Sequence, residues 1–271
     1  MSGQLICGNA VAGVTCKGRR PENEDALVIE PIRGGYLLAI ADGIGGHHAG
    51  EVASGIAVDV LARHIHSCLK EGFTGDPEHL MSTGFSLAHR AILDEAVGER
   101  QGMGTTLVAA LVLGMDLFVA HTGDSRAYLI HNGISFRTRD HSVIQCLVDK
   151  DLIAEGERKS HPLRCYLTRC LGGTFGIDSF HRILHPSDLL LLSSDGFHEF
   201  IPESDIIASY QAPNLEKSIR YLVSRALQTS DDNISVILYR TPVNDQELMA
   251  GNISEIPYAC LPEEDSQSLG T

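Results

Sequence analysis

The sequence predicts an α+β fold in which antiparallel β-sheet is covered by helices. Short β-rich runs recur along the chain, and several follow one another through tight turns such as Gly114-Met115-Asp116 and His131-Asn132-Gly133, which favours antiparallel pairing. Stretches with helical periodicity stand between groups of strands and do not alternate strictly with single strands, as they would in a parallel α/β fold.

The predicted elements follow from these periodicities. The predicted strands are residues 26–30, 36–41, 105–113, 117–122, 127–131, 180–184, 189–193 and 234–239, each an apolar or β-branched run bounded by turn residues. The predicted helices are residues 49–69, 77–97 and 214–227. In the first of them Val52, Ile56 and Val60 recur at four-residue spacing, which gives the helix one apolar face to lay on a sheet.

The chain is predicted to form one domain with a short extension. Residues 1–242 contain no linker, low-complexity tract or internal repeat, which is typical of a single domain. Residues 243–271 hold six acidic residues and neither Lys nor Arg, so we expect this acidic tail to be flexible and solvated.

Composition excludes several classes of function. With 21 Lys and Arg against 35 Asp and Glu the net charge is −14, which disfavours binding to nucleic acid. The apolar run at residues 107–113 is far shorter than the ~20 residues of a membrane span, and the start of the chain lacks a signal-peptide pattern, so we expect a cytoplasmic protein without a membrane partner. The seven cysteines include no Cys-x-x-Cys pair and are expected to be reduced thiols.

Four aspartates stand at strand ends beside Gly or Asn: Asp42, Asp124, Asp195 and Asp232. Taken singly, each is a common turn signal. Taken together at the rim of a sheet, they would repel one another unless a cation lay between them, and few basic residues are nearby in the sequence. Oxygen ligands of this kind suit Mg²⁺ or Mn²⁺, whereas zinc would favour His and Cys.

These segments resemble, in order, the motifs of the PP2C-type metal-dependent protein phosphatases (the PPM family), particularly the bacterial members. The matching segments are Arg20-Pro21-Glu22-Asn23-Glu24-Asp25, Asp42-Gly43-Ile44-Gly45-Gly46, Gly102-Met103-Gly104-Thr105-Thr106, Gly123-Asp124-Ser125-Arg126, Asp140-His141-Ser142, Leu167-Thr168-Arg169, Ser194-Asp195-Gly196 and Asp232-Asn233. Any one of these motifs is weak evidence, but their order across residues 13–240 is specific.

The resemblance implies an αββα sandwich of two antiparallel sheets flanked by helices, with two Mn²⁺ or Mg²⁺ ions in a cleft at one edge. By matching position, Asp42 would bridge both ions, the Gly43 carbonyl would bind one, and Asp195 and Asp232 would bind the other. Glu24 and Asp25 would hold water molecules at the ions, Asp124 would bind a third, weaker ion, and Arg20 would grip the substrate phosphate with its planar guanidinium.

The resemblance also leaves two parts of the site open. Some relatives carry a histidine two residues after the bridging aspartate as a general acid, but this chain has Ile44 there, so water at the ions or His47 would have to serve. Residues 143–168 correspond to the family's substrate flap. Leu147, Leu152 and Ile153 have helical spacing there, which predicts a short amphipathic cover.

The function implied is a protein serine/threonine phosphatase, which hydrolyses phosphoserine and phosphothreonine by attack of metal-activated water. Phosphorylated proteins are the expected substrates, and a bacterial Ser/Thr kinase is the expected counterpart. Two alternatives stay open: a catalytically silent relative that binds phosphoproteins as a regulator, and a phosphatase for small phosphate esters. The four retained aspartates favour catalysis, because a silent relative would not need them.

Overall fold

The computed structural model describes residues 2–45, 49–243 and 253–259. The strands are β1 (Ser2–Cys7), β2 (Val11–Cys16), β3 (Asp25–Ile32), β4 (Gly35–Ile44), β5 (Gly104–Thr105), β6 (Leu107–Leu113), β7 (Asp116–Thr122), β8 (Arg126–Ile130), β9 (Ile134–Arg137), β10 (Asp178–Ile183), β11 (Leu189–Ser193), β12 (Ile234–Arg240) and β13 (Ser254–Ala259). The helices are α1 (Ala49–Lys70), α2 (Pro77–Glu95), α3 (Val143–Val148), α4 (Asp195–His198), α5 (Glu203–Gln211) and α6 (Leu215–Thr229), with 3₁₀ turns at Gly98–Arg100 and Glu155–Ser160.

These strands form two antiparallel sheets within the described residues. The first sheet has the order β13-β1-β2-β12-β11-β8-β9. The second has the order β10-β7-β6-β4-β3, and the short β5 pairs with β4 beside it. The chain therefore forms the predicted α+β arrangement of antiparallel sheets.

Three buried apolar clusters separate four layers of structure. One lies between the second sheet and helices α1 and α2, one lies between the two sheets, and one lies between the first sheet and helices α5 and α6. The layers are therefore helix, sheet, sheet, helix, which is the αββα sandwich that the sequence motifs imply.

Strand β4 shows why these strands are apolar on both faces. Leu37, Ala39 and Ala41 pack toward the helices, while Leu38 and Ile40 pack toward the other sheet. Because side chains alternate along a strand, a strand in the centre of a sandwich must be apolar at every position. The run therefore continues without a polar residue until it reaches Asp42.

The predicted elements are found close to their expected bounds, with one internal break. The expected strand at residues 105–113 is divided into β5 and β6, because Thr106 turns its backbone and hydroxyl toward Asp42. The sequence does not predict β1, β2, β9 and β13 or the short helices α4 and α5. Helix α2 begins as predicted, with Asp76 accepting a hydrogen bond from the Glu78 backbone N at 3.0 Å and Pro77 at its first position.

The acidic tail differs in part from the expectation of a flexible extension. Its segment Ser254–Ala259 is β13, which pairs antiparallel with β1 over six residues from Cys7↔Ser254 to Ser2↔Ala259. Residues 244–252 and 260–271 of the tail lie outside the described residues, and the boundary at residue 243 stays a prediction. None of the helices in the described part of the chain is long and apolar enough to cross a membrane.

Candidate active site and metal centre

Five aspartates meet at one edge of the sandwich, and we call them the aspartate cluster. Asp25 begins β3, Asp42 lies near the end of β4, Asp124 lies between β7 and β8, Asp195 begins α4 and Asp232 precedes β12. Asp25 and Asp42 are direct neighbours across the β3–β4 pair. Burial raises the pKa of Asp42 well above its usual value, and the charges of the other four aspartates raise it further. The four strand-end aspartates singled out in the sequence are thus brought together.

The backbone of Asp42 is held so that its carboxylate projects into the cluster. The Asp42 N donates to Thr106 Oγ1 at 2.9 Å, and the Asp42 carbonyl accepts from the Thr106 N at 2.9 Å and from Thr105 Oγ1 at 2.8 Å. Gly43 follows in close contact with the start of α1, where a Cβ would collide with the Gly50 carbonyl oxygen. Only glycine fits here, so the backbone at residue 43 comes close to both α1 and the cluster.

Asp25 is the most enclosed member of the cluster. Its Oδ2 accepts from Ser194 Oγ at 2.8 Å, and Ser194 Oγ in turn accepts from the Ser235 N at 3.0 Å. Burial raises the pKa of Asp25 to about 7, the two serines lower it, and the charges of Asp195 and Asp232 raise it. Its Oδ1 is buried and has no hydrogen-bond partner among the described residues. One oxygen of this carboxylate is therefore buried without a partner among the described residues.

Asp232 is fixed by the loop that carries Arg20. Its Oδ1 accepts from the Asn233 N at 2.8 Å and its Oδ2 from Arg20 Nη2 at 2.7 Å, while Arg20 Nε donates to the Asp231 carbonyl at 3.2 Å. Asn233 Oδ1 accepts from the Glu24 N at 2.8 Å, which ties the Arg20–Glu24 loop to the start of β12. The Arg20 guanidinium is half exposed at the rim of the cluster, where a phosphate could reach it.

Asp195 and Asp124 form the other side of the cluster. Burial, followed by the charges of Asp232 and Glu199, raises the pKa of Asp195 to about 6, and hydrogen bonds from Asp42 and the Gly196 N oppose this. Burial and the charge of Asp195 raise the pKa of Asp124 well above its usual value. Glu199 acts on both aspartates and was missed in the sequence, although its position four residues after Asp195 puts the two on one face of α4.

Divalent cations with a preference for oxygen fit this site. Burial and then the charges of neighbouring aspartates raise the pKa values of Asp25, Asp42 and Asp195, and Asp25 Oδ1 is buried without a partner among the described residues. Glu24 lies at the same edge, where a Cβ on Gly50 would come within 2.9 Å of Glu24 Oε2, and burial raises its pKa as well. A set of carboxylate and backbone oxygens is the donor chemistry of Mg²⁺ and Mn²⁺.

Ile44 stands where some relatives have a histidine, and its side chain is exposed at the end of β4. An isoleucine cannot donate a proton, so the general acid remains water at the ions or His47, as the sequence predicts. His47 lies outside the described residues.

The flap segment contains a shorter helix than the sequence predicts. Leu147 belongs to α3, which ends at Val148, and Asp151 has a positive φ of 53° that stops the helical path. Leu152 and Ile153 therefore lie in the turn beyond α3, with Leu152 exposed. The expected helical spacing of these three residues is wrong beyond Val148, and their role at a substrate flap stays a prediction.

A buried ion-pair network joins the flap to the sandwich. Asp140 accepts two hydrogen bonds of 2.7 Å from Arg126, from Nε and Nη2, and a third of 2.6 Å from Arg158 Nη2 in the flap. Arg158 Nη1 also donates to Gln145 Oε1 at 2.9 Å. The sequence analysis did not find this network, because its members are 14 and 18 residues apart and share no local period.

Comparison with known proteins identifies the family. The family model described as Protein phosphatase 2C matches residues 9–145. The serine/threonine protein phosphatase PstP of Mycobacterium tuberculosis is 34% identical over 244 residues, which cover 87% of this chain and 46% of PstP. The chain thus spans about half the length of that relative. The serine/threonine phosphatase stp of Listeria monocytogenes is 33% identical over 233 residues, covering 83% of this chain and 92% of stp.

The similarity extends to solved structures. The crystal structure of the catalytic domain of serine/threonine protein phosphatase PstP in complex with two manganese ions is 30% identical, with a TM-score of 0.74 over 88% of this chain and 98% of that one. The sequence motifs, the αββα layers and the clustered aspartates thus agree with the family match and with the relatives. The chain belongs to the protein phosphatase 2C family.

Proposed function

We propose that this chain is a metal-dependent protein phosphatase that hydrolyses phosphoserine and phosphothreonine in proteins. The observation that carries the proposal is the aspartate cluster, which gathers five carboxylates at one edge of the fold with too few cations of the chain to balance them. The names of the M. tuberculosis and L. monocytogenes relatives, both serine/threonine phosphatases, support this substrate class.

In this proposal the cluster would hold two Mn²⁺ or Mg²⁺ ions. Asp42 would contribute to holding both ions, the Gly43 carbonyl would help to hold one, and Asp195 and Asp232 would help to hold the other. When bound, such ions would supply a nucleophile, because a divalent cation lowers the pKa of water toward neutrality. Glu24 and Asp25 would orient water molecules at this edge by accepting hydrogen bonds.

Asp124 belongs to a third, weaker ion in the same proposal. Burial and the charge of Asp195 both raise the pKa of Asp124, which supports a cation shared between these two residues.

Arg20 binds the substrate phosphate. Its hydrogen bond to Asp232 and its contact with the Asp231 carbonyl hold the guanidinium at the rim of the cluster before substrate arrives. A planar guanidinium can then donate to two phosphate oxygens at once, which orients the phosphorus toward the cluster. The proton for the leaving serine or threonine oxygen comes from water at the site or from His47.

The counterpart and the location of the protein also belong to this proposal. A bacterial Ser/Thr kinase would supply the phosphorylated substrates, and both proteins would act in the cytoplasm. A catalytically silent regulator is the less favoured hypothesis, because buried carboxylates without partners lower the stability of the fold unless they bind ions.

The decisive experiment measures metal-dependent hydrolysis. The purified chain should hydrolyse phosphothreonine peptides and p-nitrophenyl phosphate with Mn²⁺ or Mg²⁺ and lose this activity in EDTA. Asp42→Asn should lower kcat by about three orders of magnitude or more, because it removes a charge shared by both ions.

Asp59→Asn is the matched control, since Asp59 is exposed on α1 and pairs with Arg63 away from the cluster. Full activity after chelation, or an Asp42→Asn variant as active as the control, would overturn the proposal. Tight binding of phosphopeptide by the Mn²⁺-loaded chain without turnover would instead support the silent regulator, and turnover of p-nitrophenyl phosphate alone would support a phosphatase for small esters.

A further inference from the structure

A second group of metal-binding side chains lies at the opposite end of the first sheet from the aspartate cluster. His131 directly follows β8, and His185 and Asp188 lie in the turn that leads into β11. Strands β8 and β11 pair antiparallel from Ser193↔Arg126 to Leu189↔Ile130, so Asp124 and Asp195 lie at one end of the pair and His131 and Asp188 at the other. The length of β11 alone separates the two ends by about 13 Å.

The carboxylate of this histidine–aspartate cluster (His131, His185 and Asp188) is buried and held by the backbone. The Asp188 side chain is only 1% exposed, and its Oδ2 accepts from the His185 N at 2.8 Å. The Asp188 N donates to the His185 carbonyl at 3.0 Å, and the Thr241 N donates to the Asp188 carbonyl at 2.8 Å. Asp188 is therefore a fixed oxygen ligand between two side chains that can adjust.

The two histidines are placed around this carboxylate at distances close to those in a metal site. His131 Nδ1 is 2.6 Å from Asp188 Oδ1, and His185 Nδ1 is 3.5 Å from Asp188 Oδ2. Ligand atoms on a tetrahedral zinc ion are about 3.4 Å apart, given Zn–N and Zn–O bonds of about 2.1 Å. The His185 contact already has this spacing. His131 is at hydrogen-bond distance from the other Asp188 oxygen, and its ring would need to move away by about 0.8 Å to admit an ion.

The rings are oriented and exposed as an accessible site requires. Their planes are inclined at 53° with centroids 5.4 Å apart. One nitrogen of each ring and one Asp188 oxygen all lie within 4.8 Å of one another, so the three ligand atoms are close enough to share one ion. Their side chains are 46% and 67% exposed, which gives an ion access and leaves room for water as a fourth ligand. The net charge of −14 further favours approach of a cation.

A comparison within the molecule separates this arrangement from an ordinary ion-pair network. His121, His141 and Asp178 also bring three such groups together, but the two rings are nearly parallel, inclined at 16°. Arg169 Nη1 lies 2.7 Å from Asp178 Oδ1 and 3.3 Å from His141 Nε2, so a cation of the chain already occupies that position. The histidine–aspartate cluster has its carboxylate buried and its imidazoles open.

We propose that His131, His185 and Asp188 bind one divalent transition-metal ion of the zinc type, independently of the ions at the aspartate cluster. Two imidazoles and one carboxylate are a set that zinc prefers and that magnesium does not. The ion would join the turn after β8 to the turn before β11 and so fasten the far end of the first sheet. This proposal holds whether or not the chain is a phosphatase.

The test counts zinc on the full chain by equilibrium dialysis in saturating Mg²⁺, followed by elemental analysis. His131→Ala, His185→Ala and the double variant should each bind about one zinc ion per chain fewer than the unmodified protein. Both histidines are exposed, so the variants should keep their fold, which circular dichroism can verify. A zinc count that is the same in the double variant and the unmodified protein would overturn the proposal.

His181→Ala is the matched control. His181 Nε2 lies 2.7 Å from Asp116 Oδ1, and the His181 side chain is similarly exposed, but within the described ranges this pair is not part of a three-ligand group. The control should keep the full zinc count. An equal loss of zinc in the control would mean scattered binding to surface histidines and would also reject the site.

Discussion

Asp140 and the aspartate cluster are both buried carboxylates, but their pKa values are shifted in opposite directions. Burial alone would raise the pKa of Asp140, but the hydrogen bonds and charge of Arg126 and the charge of Arg158 hold it below its usual value. In the aspartate cluster, burial and mutual repulsion raise the pKa values of Asp42 and Asp195. The chain supplies two arginines to Asp140, whereas in the aspartate cluster the ion pair found among the described residues is that of Arg20 with Asp232.

This difference separates structural carboxylates from functional ones more clearly than burial does. Asp140 has a side chain 5% exposed, and its two arginine partners are 11% and 13% exposed, so the network is complete within the protein. The aspartate cluster keeps an unpartnered oxygen on Asp25 among the described residues. An uncompensated cluster costs stability, and a fold retains it where the charge is needed for chemistry.

The largest expected effect on stability comes from removing the structural carboxylate. Asp140→Asn removes the counter-charge that the buried Arg126 and Arg158 share, and among the described residues leaves Arg158 only its longer ion pair with the exposed Glu155. The variant should lower the free energy of unfolding by about 3–5 kcal/mol. Urea unfolding followed by circular dichroism measures this loss. Asp59→Asn, which breaks an exposed pair on α1, should cost less than about 1 kcal/mol. If the two variants unfold at the same urea concentration, Asp140 is not the structural anchor that its contacts indicate.

A smaller effect is expected from removing one of the two cations. Arg158→Ala leaves the Arg126–Asp140 pair intact but removes the hydrogen bonds that Arg158 makes to Asp140 and Gln145, which should cost about 1.5–3 kcal/mol. Since Arg158 is the flap's contact with this network, hydrogen exchange should speed up across residues 143–168. The KM for a phosphothreonine peptide should rise more than the KM for p-nitrophenyl phosphate.

Two further variants define what Arg158 does. Arg158→Lys keeps the charge but cannot reach two acceptors with a planar fork, so it should recover only part of the loss. Lys150→Ala, an exposed position in the same segment, should leave exchange and KM unchanged. Equal exchange rates in Arg158→Ala and Lys150→Ala would show that the ion pair does not hold the flap in place.

The contrast between the two carboxylate sets also explains what the sequence could predict. Asp42 and Asp195 follow directly on apolar strands and stand beside glycine, a local pattern that is visible in the chain and that the fold gathers at one edge. Asp140, Arg126 and Arg158 have no such pattern, because only tertiary packing brings them together. For the same reason the sequence does not predict β13, whose pairing with β1 joins residues more than 240 positions apart.

Short elements were missed for a related reason. Helix α4 spans four residues and β9 also spans four, too few for a hydrophobic period to repeat. The predicted flap helix extends too far along the chain because Leu147, Leu152 and Ile153 are five and six residues apart, which is not the three- or four-residue spacing of one helix face. The positive φ of Asp151 belongs to a turn that the apolar pattern does not reveal.

The smallest expected effect is the change in the free energy of unfolding caused by Asp195→Asn, and its sign should differ between metal-free and Mn²⁺-loaded protein. In protein freed of metal by EDTA, Asp195→Asn should raise the free energy of unfolding by about 0.5–2 kcal/mol, because it removes one of several repelling buried charges. With saturating Mn²⁺, the unmodified protein should become the more stable of the two, since it gains more binding free energy from the ions than a variant lacking one ligand charge. Thermal unfolding of both proteins in EDTA and in Mn²⁺ gives the four midpoints needed.

Asp140→Asn serves as the comparison, because its destabilisation should be the same with and without metal. A destabilised Asp195→Asn in EDTA would mean that Asp195 is balanced within the chain, as Asp140 is, and that the two sets of carboxylates do not differ in kind.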